Sequence, residues 1–205
     1  MFFSDKERLA RLKINSFSYL RADWLVRIMD IFGTGQNILE QDAQTLSEEG
    51  KITLETAKKF LAACNALDAE AEFEKTQKCG GRILFKDEET YPPALLDIKE
   101  PPLALYVRGA FDFENAVSAA VVGTRKVTPY GRRVTAKLAD DLAQVGVTLV
   151  SGLARGVDSI AHAQSVKNKK PTWALVGTGI GRCYPPENRE LARAILDNGG
   201  AIISE

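Results

Sequence analysis

The sequence predicts an α/β protein in which a small all-helical domain precedes a parallel sheet. Helical periodicity runs through residues 5–77, whereas short apolar runs alternate with helical segments from residue 116 onward. Proline and glycine concentrate between these two regions, where little periodicity is present. These observations divide the 205 residues into a helical domain over 1–78, an extended linker over 79–115 and a sheet domain over 116–205.

The helical domain is indicated by two segments with apolar residues at helical spacing. These are "ADWLVRIMDIF" at 22–32 and "TLETAKKFLAACNAL" at 53–67. Between them, Gly33-Thr34-Gly35 is typical of the tight hairpin in sterile-alpha-motif-like or helix-hairpin-helix units, whose backbone amides bind phosphate in some members. A glycine helix cap explains the same residues, and the acidic surroundings disfavour a phosphate there, so a structural or partner-binding role stays open.

The linker contains two short apolar runs, Arg82 to Phe85 and Leu103 to Val107. They flank a proline-rich connection that includes Tyr91-Pro92-Pro93 and Pro101-Pro102. We expect these runs to add edge structure to the sheet that follows.

The sheet domain shows a regular alternation of strands and helices, typical of a Rossmann-like fold. Predicted strands are Val117 to Val122, Thr148 to Val150, Thr172 to Val176 and Ala201 to Ser204, with helices near Tyr130 to Gln144, Asp158 to Val166 and Glu187 to Leu196. Right-handed crossovers would make the strands parallel and bring their carboxyl ends to one edge. Open α/β sheets bind ligands at that edge.

Composition and charge exclude several classes of protein. Apolar stretches are too short to span a membrane, and a charged beginning argues against a signal peptide, so we expect a cytoplasmic protein without membrane attachment. Three widely spaced cysteines and a single histidine favour reduced thiols and no metal site.

The net charge is zero, yet residues 1–115 carry 15 basic and 20 acidic residues, whereas residues 116–205 carry 12 basic and 7 acidic residues. A basic second half favours a polyanionic partner.

The glycine motifs do not match the common nucleotide-binding patterns. A nicotinamide site would begin with GxGxxG after the first strand, but that turn reads Gly123-Thr124-Arg125, and no acidic residue ends the second strand. The later "GTGIG" at 177–181 follows the third strand, and no Walker lysine is present. We therefore expect no bound cofactor.

The loops after the strands instead combine small residues, backbone amides and basic side chains, which suit phosphate binding. Several such loops side by side would hold the backbone of a nucleic acid with little sequence preference, and Tyr130 and Tyr184 are the candidates for base stacking. Arg132 and Arg133 follow in the first crossover, although a solvated helix face explains them equally well. The predicted phosphate-binding residues are Gly123, Thr124, Arg125, Lys126, Ser151, Gly152, Arg155, Gly179 and Arg182.

No catalytic set emerges from the remaining polar residues. His162 can face Asp158 across one helical turn, but a packed, hydrogen-bonded histidine is the commoner case. Asp158 is most simply the N-cap of its helix, and Ser151 lacks the GxSxG elbow of a serine nucleophile. Glu187 and Asn188 follow two prolines and are typical of the start of a helix.

These residues resemble the DNA-processing protein A family, also called Smf. The resemblance is carried by "VVGTRKVTPYG", "SGLARGVDSIAHAQSV" and "GTGIGRCYPPENRELARAIL…GGAIISE", which agree in order and spacing with the family's motifs. It runs through essentially the whole chain, most securely from about residue 83. Members of the family continue beyond the "ISE" segment, so the resemblance implies that this chain holds the first part of the sheet domain.

The resemblance implies a protein that binds single-stranded DNA during natural transformation and loads a RecA-type recombinase onto it. It also implies a homodimer when the sheet domain is complete, and no enzymatic activity. At the positions that match the family's motifs, the resemblance implies that Gly123, Arg125, Ser151 and Gly152 bind the DNA backbone. The roles of Asp158, His162 and Asn188 stay structural or unknown.

Two other functions are compatible with parts of the sequence. One is a nucleotide-binding Rossmann-like enzyme of the phosphoribohydrolase type, although the PGGxGTxxE loop of that group is absent. The other is an interaction protein whose acidic helical domain docks a partner, with the sheet domain as scaffold. Salt-sensitive binding of DNA distinguishes both from the family's function.

Overall fold

The computed structural model describes residues 3–17 and 22–205, and the chain forms two compact units. The helical unit comprises Met1–Lys75 and Leu84–Ala104, and the sheet unit comprises Thr76–Ile83 and Leu105–Glu205. Residues 79–115, expected as a linker, are thus shared between the units, while the domain boundaries at 78 and 115 stay predictions. Residues 18–21 of the predicted helical region lie outside the described residues.

Helices of the first unit begin at the polar residues that the sequence places before them. Ser4, Thr34, Asp42 and Thr53 each accept a hydrogen bond from the backbone N–H three residues further on, as N-cap side chains do. The helices are α1 (Asp5–Asn15), α2 (Ala22–Phe32), α3 (Gly35–Leu39), α4 (Ala43–Gly50), α5 (Leu54–Ala66) and α6 (Ala69–Lys78). Their fully buried core contains Ile14, Ile28, Ile38, Leu46 and Phe60.

A buried carboxylate occupies the Gly33-Thr34-Gly35 hairpin. Glu7 accepts hydrogen bonds from the backbone N–H groups of Gly35 (2.8 Å) and Gln36 (3.1 Å) and from Nε of Arg11 (2.8 Å). The amides that a helix-hairpin-helix unit would direct at a phosphate are therefore engaged within the protein. This arrangement favours the structural alternative for the hairpin over phosphate binding.

The second unit is built on a six-stranded sheet in the order β1-β2-β6-β5-β4-β3. Strands β3 to β6 are mutually parallel, and β2 pairs antiparallel with β6. The strands are β1 (Gly81–Phe85), β2 (Ala104–Gly109), β3 (Ser118–Ala120), β4 (Thr148–Ser151), β5 (Thr172–Leu175) and β6 (Ala201–Ser204). The predicted α/β class, with a parallel sheet after a helical region, is confirmed, and the two apolar runs of the expected linker form β1 and β2.

Helices α7 (Pro129–Gln144), α8 (Val157–Lys167) and α9 (Arg189–Asp197) connect the parallel strands. Because β3, β4, β5 and β6 are adjacent in sequence order, right-handed crossovers place all three helices on the same face of the sheet. On this face Leu149 packs with Ala139 and Ala161, and Ile202 packs with Ala192 and Ile195. The loops at the carboxyl ends of β3, β4 and β5 consequently lie side by side.

No helix within residues 3–17 and 22–205 is both long and apolar enough to cross a membrane. Over the same residues, no cluster of histidine, cysteine and carboxylate side chains could hold a metal ion. Cys64, Cys79 and Cys183 are free thiols, and burial raises the pKa of Cys64 to about 12.

Candidate nucleic-acid interface

Three loops at the carboxyl edge of the parallel strands contain eight of the nine predicted phosphate-binding residues. The first loop covers residues 121–128, the second residues 152–156 and the third residues 176–185. Ser151 is the last residue of β4, directly before the second loop. We refer to these segments together as the carboxyl-edge loops.

The first loop lies against the second at Gly156. This glycine has a φ of +86°, and a Cβ at its position would collide with the carbonyl oxygen of Thr124 and lie 2.9 Å from Cα of Arg125. The neighbouring N–H of Val157, in the first turn of α8, donates to the same carbonyl oxygen at 3.3 Å. Glycine is needed here because a side chain would push Arg125 and its loop away from α8.

The Asp158 carboxylate holds the second loop by hydrogen bonds to its backbone. It is buried, and its Oδ2 accepts hydrogen bonds from the backbone N–H groups of Gly152 (3.1 Å) and Ala154 (3.3 Å). The prediction that Asp158 is the N-cap of α8 is wrong, because Gly156 takes that position without a side-chain bond. Asp158 instead reaches back to the loop, and each hydrogen bond to a charged group contributes about 1.5–3 kcal/mol.

Asn188, in the segment between β5 and β6, forms a hydrogen bond to the backbone of the same loop. Its Nδ2 donates to the carbonyl oxygen of Leu153 at 2.8 Å, and the residue is buried. Leu153 has a φ of +54°, a left-handed conformation that leucine rarely adopts. Asn188 does occupy the start of α9, as predicted, but its side chain makes no capping bond there. It is a positioning residue for the backbone of the second loop.

Ser151 and Gly152 are engaged within the protein. The hydroxyl of Ser151 donates to the carbonyl oxygen of Val121 at 2.6 Å and is buried, which ties the end of β4 to the first loop. The N–H of Gly152 is bound to Asp158. Both residues were predicted to contact phosphate, yet the groups that would do so already have protein partners.

Arg155 is exposed, and its Nε forms an ion pair with Oε1 of Glu187. The hydrogen bond between them raises the pKa of Arg155 and lowers that of Glu187, so both side chains are charged at neutral pH. Since half of each side chain is exposed, the pair is readily exchanged for other partners. A phosphate would compete with Glu187 for this guanidinium.

Arg125, Lys126 and Arg182 are exposed, and none forms an ion pair among the described residues. A cavity of about 240 Å³ separates the loops, with Arg125, Arg155 and Tyr184 among its lining residues. Tyr184 is 55% exposed. Lys126 donates its backbone N–H to the hydroxyl of Thr124, and this hydrogen bond shapes the first loop. Gly179, in the third loop, is exposed. The loops therefore offer an open, positively charged cleft.

His162 is packed and hydrogen-bonded, as predicted. It is fully buried, and its Nδ1–H donates to the hydroxyl of Thr172 at 2.8 Å, because that hydroxyl donates its own proton to the carbonyl oxygen of Leu149. Burial lowers the pKa of His162 to about 4, although the charge of Asp158 acts in the opposite direction. The imidazole is thus neutral and has a structural role between α8 and β5.

A protein-family model described as DNA recombination-mediator protein A matches residues 82–205 of the chain. The chain belongs to this family. Protein Smf of Escherichia coli (strain K12) is 34% identical over 194 residues, which are 95% of this chain and 50% of that protein. DNA processing protein DprA of Bacillus subtilis (strain 168) is 37% identical over 103 residues, which are 50% of this chain and 35% of that protein. The chain spans half or less of the length of these relatives.

Solved structures agree with this membership in the family. The match to the structure of DNA processing protein A from Streptococcus pneumoniae covers 100% of this chain and 68% of that chain. Its TM-score of 0.73 at 24% identity shows the shared fold. A second match is DNA processing protein A from Helicobacter pylori, whose structure is described with a single-stranded DNA binding mode. This match covers 60% of this chain and 54% of that chain, with a TM-score of 0.52 and 32% identity. The resemblance expected from the motifs is confirmed.

The buried histidine gives a direct pH test. An unfolded histidine takes up a proton near pH 6.5, whereas folded His162 does so near pH 4, so the unfolded state binds more protons between these values. The contribution of His162 to stability is therefore present above about pH 6.5 and is lost as the pH falls, by up to about 1.4 kcal/mol per pH unit. As the chain has one histidine, its imidazole proton signal in NMR should stay at the neutral position down to about pH 5. A midpoint near 6.5 would contradict this assignment.

Proposed function

We propose that this chain binds the phosphate backbone of single-stranded DNA at the carboxyl-edge loops. The observation that carries the proposal is the exposed Arg125, which has no protein partner among the described residues and lines a cavity together with Arg155 and Tyr184. A guanidinium fork matches phosphate oxygens in a bidentate geometry. The DNA-binding mode described for the Helicobacter pylori relative supports the same class of ligand.

Charge supports backbone binding more than base recognition. Residues 116–205 carry a net charge of +5, and their basic side chains include several at these loops. Single-stranded DNA is held without sequence preference by basic grooves and by aromatic rings on which bases stack. Tyr184, in the cavity, and the exposed Tyr130, in the first turn of α7, supply rings of this kind.

We assign three roles to the nine predicted residues on the basis of their contacts. Arg125, Lys126 and Arg182 bind phosphate, and Arg155 joins them when Glu187 releases it. Ser151 and Gly152 position the loops, because their polar groups bond to Val121 and Asp158. Gly123, Thr124 and Gly179 shape the first and third loops: Gly123 leaves room for Val157, the Thr124 hydroxyl accepts the N–H of Lys126, and Gly179 takes a φ of +71°.

The proposed activity is binding, without catalysis. His162, the single histidine of the chain, is fully buried and neutral, and membership in the DNA-processing family does not favour the phosphoribohydrolase alternative. The family description as a recombination mediator supports the further proposal that a RecA-type recombinase is loaded onto the bound strand. A homodimer of the complete domain and a cytoplasmic location stay predictions.

Arg125→Ala tests the proposal. We expect it to weaken binding of a fluorescein-labelled oligothymidylate by about tenfold in fluorescence anisotropy, because a charge-assisted contact to phosphate is lost. Lys167→Ala is the matched control: it removes one exposed charge from the last turn of α8, at the opposite edge of the sheet. Equal affinities for the two variants would overturn the assignment of Arg125.

Glu187→Gln tests the competition for Arg155. Removing the carboxylate charge frees the guanidinium, so binding of the same oligonucleotide should tighten several-fold. Glu190→Gln, three residues away in the first turn of α9, removes the same charge without touching Arg155. If both variants tighten binding equally, only the general charge matters, and the assignment of Arg155 fails.

A further inference from the structure

A second cavity, of about 460 Å³, is lined by four arginines: Arg108, Arg182, Arg189 and Arg193. We call it the arginine pocket. Only Arg182 was singled out from the sequence, because the other three lie outside the glycine-rich loops. All four belong to the sheet unit.

The geometry of the elements explains why these side chains converge. Arg189 and Arg193 are four residues apart on α9 and therefore share one face of the helix. Arg108 of β2 is directly opposite Ile202 of β6, whose side chain packs under α9, and residues opposite each other in an antiparallel pair share a face of the sheet. Arg182 reaches the same place from the third loop.

The charges of the arginine pocket are not neutralised by the protein. None of the four guanidinium groups forms an ion pair or hydrogen bond with another side chain in the described part of the chain. No acidic residue is among the residues that line the pocket. Four like charges around one cavity repel one another, so an anion that bridges them would be stabilising.

The floor of the arginine pocket is apolar. Leu153, Ile180, Ala192, Leu196 and Ile202 contribute to its lining. Inorganic anions gain nothing from such a surface, whereas a nucleobase does, because it buries an apolar face there. The volume lies within the range of sites for small organic ligands.

The arginine pocket adjoins the cleft of the carboxyl-edge loops. Tyr184 and Val176 line both cavities, so the tyrosine ring forms part of the wall between them. A ligand in the arginine pocket therefore lies next to the surface that we propose for the DNA backbone. Arg125 and Arg155 line only the first cavity, and Arg108, Arg189 and Arg193 line only the second. Arg182 belongs to the third loop and also lines the arginine pocket, so it is common to both proposed sites.

We infer that the arginine pocket binds a nucleoside phosphate, with its phosphate held by the arginines and its base on the apolar floor. The ligand is either a free nucleotide or one nucleotide of a strand that continues from the carboxyl-edge loops. This site goes beyond the proposed function, because it takes a single nucleotide and does not require Arg125.

Thymidine 5′-monophosphate, thymidine and inorganic phosphate are the probes, each titrated at constant ionic strength into the ¹⁵N-labelled 205-residue chain and followed by NMR. We expect thymidine 5′-monophosphate to shift amide signals of α9 and of residues 180–184 and to bind more tightly than either of the other probes. Arg189→Ala/Arg193→Ala should weaken this binding by about tenfold or more. Lys167→Ala/Lys170→Ala, which removes two charges from the opposite edge of the sheet, should leave it unchanged. Both pairs lie on the surface or near it, and circular dichroism checks the fold.

Equal binding of inorganic phosphate, shifts elsewhere in the protein, or an unchanged affinity in the arginine double variant would each overturn the inference. A competing oligothymidylate then identifies the source of the ligand. Displacement of the nucleotide by the oligonucleotide indicates a strand that enters the pocket, and simultaneous binding of both indicates a free nucleotide. Loss of oligonucleotide binding in Arg125→Ala with nucleotide binding intact separates this site from the proposed function.

Discussion

The hydrogen bonds from the Gly152 and Ala154 amides to the buried Asp158 carboxylate hold the candidate interface in place. They fix the second loop on the N-terminal turn of α8. The first loop depends on this arrangement, because Gly156 and Val157 of the same turn contact Thr124. Asp158 is buried, yet its two hydrogen bonds determine where the cationic loops lie.

Both units direct backbone amides toward carboxylates of the protein. In the helical unit Glu7 takes the amides of the hairpin at Gly35 and Gln36, and in the sheet unit Asp158 takes those of the second loop. These four amide donors are thereby satisfied within the protein. In the proposed interface, recognition of a polyanion therefore falls to side chains, above all to Arg125, whose guanidinium is free of protein partners among the described residues.

The sequence predicted where the residues of the candidate site lie in the fold better than it predicted their contacts. Strand and helix alternation is a local, periodic signal, and it placed Arg125, Arg155 and Arg182 at one edge of the sheet. The ion pair between Arg155 and Glu187 spans 32 residues and has no such signal. The i, i+4 spacing of Arg189 and Arg193 was visible in the sequence, but Arg108 joins them only through the antiparallel pairing of β2 with β6. That pairing is a product of the tertiary fold.

The most direct test of a phosphate-binding interface is the salt dependence of oligothymidylate affinity for the unaltered chain. Each phosphate neutralised on a single strand contributes about −0.7 to the slope of log K against log salt concentration. An interface built on Arg125, Lys126 and Arg182, with Arg155 released from Glu187, predicts a slope of roughly −2 to −3 on that basis. A folded chain that binds with a slope near zero, or does not bind at low salt, would contradict the account.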